Sequence, residues 1–313
     1  MNEGFRLFPE QASSMAGHVD ALYYFLLAVA GIFTLLIATL IAYFSLKYRR
    51  QSEAAPPQIK TNYPLEIAWT VVPLAITMVI FVWGAEIYVR QYDPPVDAMD
   101  IYVVGKQWMW KIQHPEGARE INELHVPLGR PIKLTMSSED VVHSFFIPAF
   151  RVKHDVLPGR YVSMWFEATK LGEYHLFCAE YCGTDHSRMT GKVVVMEPAD
   201  YQHWLAGTFP SESAAQSGEK LFHALGCTTC HGQRAPTLAG LYGTQVLLND
   251  QTTVVVDDNY LRESILDSTA KIVAGYPPIM PSYRGQVSEE QLIQLLAYIK
   301  SLKTIDPQEV HKP

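Results

Sequence analysis

Between Asp20 and Lys47 the chain runs for 26 residues without a charged side chain, and between Glu66 and Glu86 for another 19. A bilayer core of roughly 30 Å takes about 20 helical residues at about 1.5 Å each. Both runs are long enough to span it, and the first is long enough to tilt. Pro73 lies inside the second run, where a membrane helix tolerates it better than a soluble one does. A signal peptide does not fit the first run. Its apolar region is only about 7–15 residues and follows a basic segment, whereas the stretch before this run carries Arg6 against Glu3, Glu10 and Asp20. The sequence therefore predicts two transmembrane helices, at about 20–47 and 66–89. Lys47, Arg49, Arg50 and Lys60 lie between them. Positive charge stays on the cytoplasmic side, so that loop is expected inside. Both termini, and everything after about Arg90, are expected in the periplasm or on the outer face.

The 313 residues allow two or three domains, and the net charge of −7 without a basic block excludes nucleic acid as a partner. Mean hydropathy is near zero only because apolar and polar sequence are segregated along the chain. From Asp100 to about Val195, β-rich runs such as "IYVVGKQWMWKI", "PIKLTM", "RYVSMWFEA", "GEYHLF" and "GKVVVM" alternate with the turns "HPEG", "PLGRP" and "LPGR". This spacing predicts an antiparallel sandwich or barrel. Composition changes near Pro198–Ser217, which reads as a linker. Beyond it "AAQSGEKLFHALGC" and "SEEQLIQLLAYIKSL" have helical apolar spacing, the second behind a Ser288/Gln291 capping box. "QVLLNDQTTVVV" reads as a small hairpin turning at Asn249-Asp250. The expected organisation is a membrane region over 1–95, a β domain over 96–200, a linker over 201–212 and a helical domain over 213–313.

All four cysteines fall in two clusters. The second, "CTTCH", is a C-x-x-C-H pattern for c-type haem attachment. Two thiols couple to the vinyl groups of one porphyrin, and the adjacent His231 is thereby held under the iron. A C-x-x-C redox disulfide or a zinc half-site explains the cysteines but not the histidine, and no second cysteine pair follows to complete a zinc site. Met280, the one methionine after residue 200, is the expected sixth ligand. His223 is too close in sequence, and His203 and His311 lie near the edges of the module. A Met/His pair raises the reduction potential and suits an electron carrier. Pro236 occupies the place where small cytochromes c accept a hydrogen bond from the proximal histidine.

The first cluster, "CAEYCGTDHSRM", mixes two cysteines, a histidine and a methionine in twelve residues. Zinc sites hardly use Met, and a Cys178–Cys182 disulfide would leave His186 and Met189 unused. Thiolate, imidazole and thioether together select copper. Two cysteines with three residues between them can bridge two copper ions, each of which then needs its own histidine. His186 is local, and His143, on another loop upstream, offers the second.

Here the sequence resembles a known family, subunit II of the haem–copper cytochrome c oxidases, with a dinuclear CuA centre in a cupredoxin domain. The matching stretches are "VVHSFFIPAFRVKHDVLPGRY" and "CAEYCGTDHSRMTGKVVV". The resemblance implies that Cys178 and Cys182 bridge the coppers, that His143 and His186 cap them, and that Met189 and the Glu180 backbone carbonyl are weak axial ligands. It also implies Mg²⁺ beside the Glu180 side chain, at the contact with oxidase subunit I. "LEIAWTVVP" resembles the start of the family's second helix, whose glutamate, here Glu66, is linked to proton uptake by subunit I. "GKQWMWKI" resembles an aromatic patch whose first tryptophan, here Trp108, lies where electrons arrive from cytochrome c; Met109 stands at the usual tyrosine. Trp110 is expected to be structural, His175 to point away from copper, and His114, His125 and His154 to lie in loops or at the surface. The C-terminal "NYLRESILDSTAKIVAGYPPIMPSY" resembles the cytochrome tail of caa-type oxidases.

The implied fold is a two-helix transmembrane hairpin, an all-β cupredoxin-like Greek-key domain and an all-α cytochrome c domain. The implied role is the electron-input subunit of a proton-pumping oxidase in a bacterial inner membrane. It would accept electrons at a covalent haem c and pass them through CuA to the haem of subunit I, where O2 is reduced to water. Implied partners are subunits I and III and a donor, cytochrome c or another redox protein. Two other readings are the CuA subunit of a related nitric oxide reductase, to be decided by the partner subunit, and a free membrane-anchored electron carrier. Glu66 and the Glu180 side chain count against the last.

Overall fold

The computed structural model describes residues 8–50, 61–208, 212–232 and 234–302. Most of the loop between the apolar runs (51–60, with Lys60), residues 209–211 of the expected linker, and His311 lie outside the described residues. The chain divides into two compact units, Met15–Asp93 and the remainder.

The first unit is a pair of helices, α1 (Ala16–Lys47) and α2 (Tyr63–Tyr92). Both outrun their uncharged windows. Asn62 caps α2 by accepting from the Leu65 amide at 3.3 Å, and the Glu86–Arg90 pair, one turn apart at 2.6 Å, continues the helix to Tyr92. Apolar side chains are exposed all round, as with Ile32 at 64%, Leu35 at 70% and Phe81 at 67%. Lipid, not water, accommodates such a surface. Phe25 meets Trp83 between the helices at 5.5 Å.

In the second unit ten strands form two five-stranded sheets. They are β1 (Met99–Lys106), β2 (Met109–Gln113), β3 (Arg119–Ile121), β4 (Glu123–Pro127), β5 (Pro131–Ser138), β6 (His143–Ile147), β7 (Val152–Val156), β8 (Val162–Glu167), β9 (Gly172–Cys178) and β10 (Thr190–Met196). The sheet orders are β3-β2-β1-β5-β8 and β4-β10-β9-β6-β7. The expected all-antiparallel arrangement is corrected here: β1 pairs with β5, and β4 with β10, in parallel. The chain passes from one sheet to the other after β3 and back again, so the parallel partners β1/β5 and β4/β10 meet by crossover and not by hairpin. Trp110, Phe145, Phe150 and Phe166 fill the space between the sheets, all fully buried.

Where a linker is expected, Pro198–Thr208 forms helix α3. Tyr201 is the reason: it is wholly buried in the sandwich core, and Trp204 and Leu205 pack beside it. The C-terminal module contains α4 (Ala214–Ala224), the hairpin β11 (Gln245–Leu247) and β12 (Thr253–Val255), α5 (Asp258–Leu266) and α6 (Glu289–Ser301). Capping boxes start both α4 (Ser213/Gln216) and α6 (Ser288/Gln291). At Gly218, α4 lies so close to α6 that a Cβ would overlap the Gln294 carbonyl.

Candidate functional site

β9 and β10 pair antiparallel, Phe177 opposite Thr190, so the loop joining them must fold back on itself. Gly183 makes the bend at φ 117°, where a side chain would also strike the Gln107 amide at 2.9 Å. The Cys178 amide donates to the Met189 carbonyl, and the Ala179 amide to the Ser144 carbonyl. The loop is thereby laid beside β6, whose first residue is His143. That histidine, expected on a loop, begins a strand and is fully buried.

The result is a tight cluster of soft donors. Cys178 Sγ lies 3.7 Å from Cys182 Sγ, 3.9 Å from His143 Nδ1 and 3.3 Å from the Glu180 carbonyl oxygen. Cys182 Sγ lies 3.4 Å from His186 Nδ1 and 3.8 Å from Met189 Sδ. Both cysteines are free, with sulfurs well beyond the roughly 2.05 Å of a disulfide. Cys178, Cys182 and Met189 are buried.

Burial pushes the Cys178 thiol up, but the hydrogen bond with His143 and backbone amides outweigh it and bring the group down to about 6. Burial and the charge of Cys178 push Cys182 up to about 12. Ionising both sulfurs this close together would take positive charge beside them, which suits a metal. The donor set of two thiols, two imidazoles, one thioether and one carbonyl fits copper.

Sequence reasoning did not single out the residue that orients His143. Asp140 Oδ1 lies 2.8 Å from His143 Nε2, leaving Nδ1 facing Cys178. Burial alone would raise the Asp140 carboxyl, yet hydrogen bonds from the Gln107 amide, His143 and the Val141 amide hold it below the usual range. A carboxylate on the far nitrogen of a ligating histidine fixes its tautomer and raises its basicity. The signal was an acidic residue three before the histidine, in "EDVVH".

Trp108 is half-buried, and its indole donates to the Cys182 carbonyl at 3.2 Å, beside the Gln107 amide at 2.8 Å. Trp110 packs edge-on to His143 and Phe145. The Glu180 side chain is exposed at the tip of the loop, next to Tyr181 at 75% exposure. Glu66 is half-buried in the first turn of α2 and belongs to neither cluster. His175 is exposed and stacks beside Phe177.

His114 and His125 correct an expectation. His114 is fully buried, with Nδ1 2.9 Å from the Tyr201 hydroxyl and Nε2 2.7 Å from Glu120. His125, on β4, reaches the other Glu120 oxygen at 2.5 Å and stacks on Trp204 at 4.5 Å. A shared buried carboxylate draws both rings under α3, and nothing local in the sequence encodes that.

The second site is a cavity among α4, α5 and α6. Cys227, Cys230, His231 and Met280 line it, with Phe222, Leu261, Leu295 and Ile299 among its apolar walls. His231 Nδ1 lies 2.9 Å from the Pro236 carbonyl oxygen, which leaves Nε2 for an iron. The Ser268 hydroxyl donates to the Met280 carbonyl at 2.6 Å and fixes the loop that carries the methionine. His203 and His223 are exposed and do not line the cavity. An apolar chamber with two thiols, one imidazole and one thioether fits a covalently held haem.

Fold and sites together define a class: a membrane-anchored redox protein with a cupredoxin-like domain and a c-type cytochrome domain. Comparison with known proteins agrees. The family model for the transmembrane domain of cytochrome c oxidase subunit II matches residues 2–87, and that for its periplasmic domain matches 119–197. A model described as cytochrome c oxidase, cbb3-type, subunit III matches 213–299. Cytochrome c oxidase subunit 2 of Alkalihalophilus pseudofirmus is 30% identical over 276 residues, covering 83% of this chain and 80% of its own. The Synechocystis protein of the same name is 28% identical and is covered over 91% of its length, against 80% of this chain. The solved periplasmic domain of cytochrome oxidase subunit II from Bradyrhizobium japonicum is 31% identical over 37% of this chain and 96% of its own, with a TM-score of 0.36. The chain belongs to the cytochrome c oxidase subunit II family.

Proposed function

We propose that this chain is the electron-input subunit of a proton-pumping cytochrome c oxidase. The observation that carries the reading is the convergence of Cys178, Cys182, His143, His186 and Met189, with separations of 3.4–3.9 Å, beside the Glu180 carbonyl. Cys178, Cys182, His143, His186, Met189 and the Glu180 carbonyl would hold a dinuclear copper centre. Cys227 and Cys230 would tether a haem, and His231 and Met280 would supply its protein ligands. Bound there, these groups supply one-electron chemistry between an external donor and the haem of oxidase subunit I, where O2 is reduced to water.

The protein's part is to bind, orient and keep dry. Asp140 and the Pro236 carbonyl each anchor the outer nitrogen of an iron- or copper-facing histidine. Buried walls exclude water, and a rigid loop limits rearrangement on electron transfer. Trp108, bonded to the Cys182 carbonyl, offers a route for an external donor. Glu66 serves proton uptake and the exposed Glu180 side chain a Mg²⁺, both against subunit I, with subunit III alongside. The positive loop lies in the cytoplasm and the redox domains on the periplasmic side of a bacterial inner membrane.

The test is an optical spectrum with metal analysis of the purified chain. Low-spin c-type bands together with visible and near-infrared CuA absorption are expected. Cys182→Ser should remove the copper bands and leave the haem. Zinc in place of copper would overturn the reading. Purification without subunit I would favour a free carrier.

A further inference from the structure

β1 belongs to both hydrophobic cores. Ile101 and Val103 are buried in the sandwich, whereas Tyr102 and Val104 are buried with α5 and α6 of the C-terminal module. Tyr161, at the start of β8's approach, joins them. Gly105 is next along β1, and a Cβ there would lie 2.9 Å from the His143 ring and 3.1 Å from Trp110. On the other side, α6 packs on β1, and its Leu295 and Ile299 line the C-x-x-C-H cavity.

Lys300 sits in this seam with only 14% of its side chain exposed. Its Nζ lies 2.7 Å from Asp258 Oδ1, 5.6 Å from the centre of the Tyr102 ring and 4.9 Å from that of Tyr242. Burial alone would pull the ammonium's pKa down, but Tyr102, Asp258, Tyr242 and Asp100 more than offset it and hold the charge. Further polar contacts lie along the seam. Arg262 donates to the Gly159 carbonyl at 2.6 Å and to Glu289 at 2.5 Å. The Asn259 amide accepts from the Tyr161 amide at 2.8 Å and donates to its carbonyl at 3.3 Å. Lys111 bridges Glu139 of the sandwich and Glu290 of α6, at 2.9 and 2.8 Å.

A carrier domain swinging on a tether needs a small, wet contact that separates cheaply. Separation here would expose Tyr102, Val104 and Tyr161 to water, break the Asn259–Tyr161, Arg262–Gly159 and Lys111–Glu290 contacts and take Lys300 away from the Tyr102 ring, which is expensive. We propose that the C-terminal module is clasped to the sandwich as one rigid body, with Lys300 as a positioning residue in the seam and β1 lying between α6, which walls the C-x-x-C-H cavity, and the His143 side of the sulfur cluster. The consequence, which rests on the function proposed above, is that an electron delivered to the C-terminal module reaches the copper site without a docking step.

Hydrogen exchange of the purified full chain in detergent tests the clasp. The amides of Tyr161 and of residues 259–262 should be strongly protected. Lys300→Met should speed their exchange at least tenfold while β9 and β10 stay slow and the haem spectrum is unchanged. Asn259→Ala is the second variant, should Lys300→Met fail to fold, and should speed the same amides. Rapid exchange at these amides in the unaltered chain sinks the proposal, as does an unchanged seam in both variants. In the oxidase complex, electron transfer from the flash-reduced haem should be first order and insensitive to added glycerol. A rate that falls in proportion to viscosity means a mobile module and overturns the clasp. The exchange readout needs neither metal, so a protected seam in a chain without CuA bands defeats the function alone, and a mobile seam in a chain with both spectra defeats the clasp alone.

Discussion

The two candidate sites are built in opposite ways. The sulfur cluster is assembled from afar: His143 comes from a strand 35 residues before Cys178, and its position depends on the Asp140 contact, the Gly105 gap and the loop that Gly183 bends back. Its donors nearly touch one another. In the cytochrome module three of the four candidate ligands are almost contiguous in sequence, and the protein surrounds a chamber with them. A small cage is held by the packing of its walls, whereas a large covalently tethered group is held by a short motif plus a shell. Mutations that disturb packing should therefore damage one site and spare the other, depending on which wall they move.

The largest such effect is expected at Gly218→Ala, where a methyl group collides with the α6 backbone. A loss of about 3 kcal/mol or more from the C-terminal module, at the top of the range for overpacking, would lower its melting temperature and its haem retention; the CuA bands should persist. Gly105→Ala is the mirror experiment. Its methyl group meets rings and not backbone, so the cost should be about 2 kcal/mol, read as reduced copper occupancy with an unaltered haem spectrum. If both variants hurt both sites equally, the contrast drawn here fails. Asp140→Asn should leave the fold intact yet weaken copper binding by about 10–100-fold, as expected when the anchor of a ligating histidine is altered; copper titration of the metal-free protein measures it.

The smallest effect belongs to Glu120, which holds His114 and His125 beneath α3 and touches neither site. Burial alone would raise its carboxyl, but the hydrogen bonds from both histidines hold it below its ordinary 4.5. Its stabilisation is therefore fully present above that pH and is lost as pH falls through the lowered folded value. Glu120→Gln should cost about 1 kcal/mol near neutral pH and flatten the loss of stability below about pH 4.5, with both spectra unchanged. A thermal-unfolding series across pH reads this directly.

Sequence by itself determined what is local. An uncharged run of 26 residues is long enough to cross a bilayer as a helix. C-x-x-C-H fixes two thiols and an imidazole within one turn of chain, and the Ser288/Gln291 capping box needs only three-residue spacing. The soft donors of the first cluster are likewise close enough in sequence to name a metal. What only the tertiary structure decided is which distant surfaces meet. The two parallel strand pairs, the burial of His114, the anchoring of His143 by Asp140 and the Lys300 seam all depend on crossovers that bring remote segments together. Side-chain periodicity says which face of a strand is buried but not against what, and the neutralisation of a buried charge depends on partners that no spacing rule supplies.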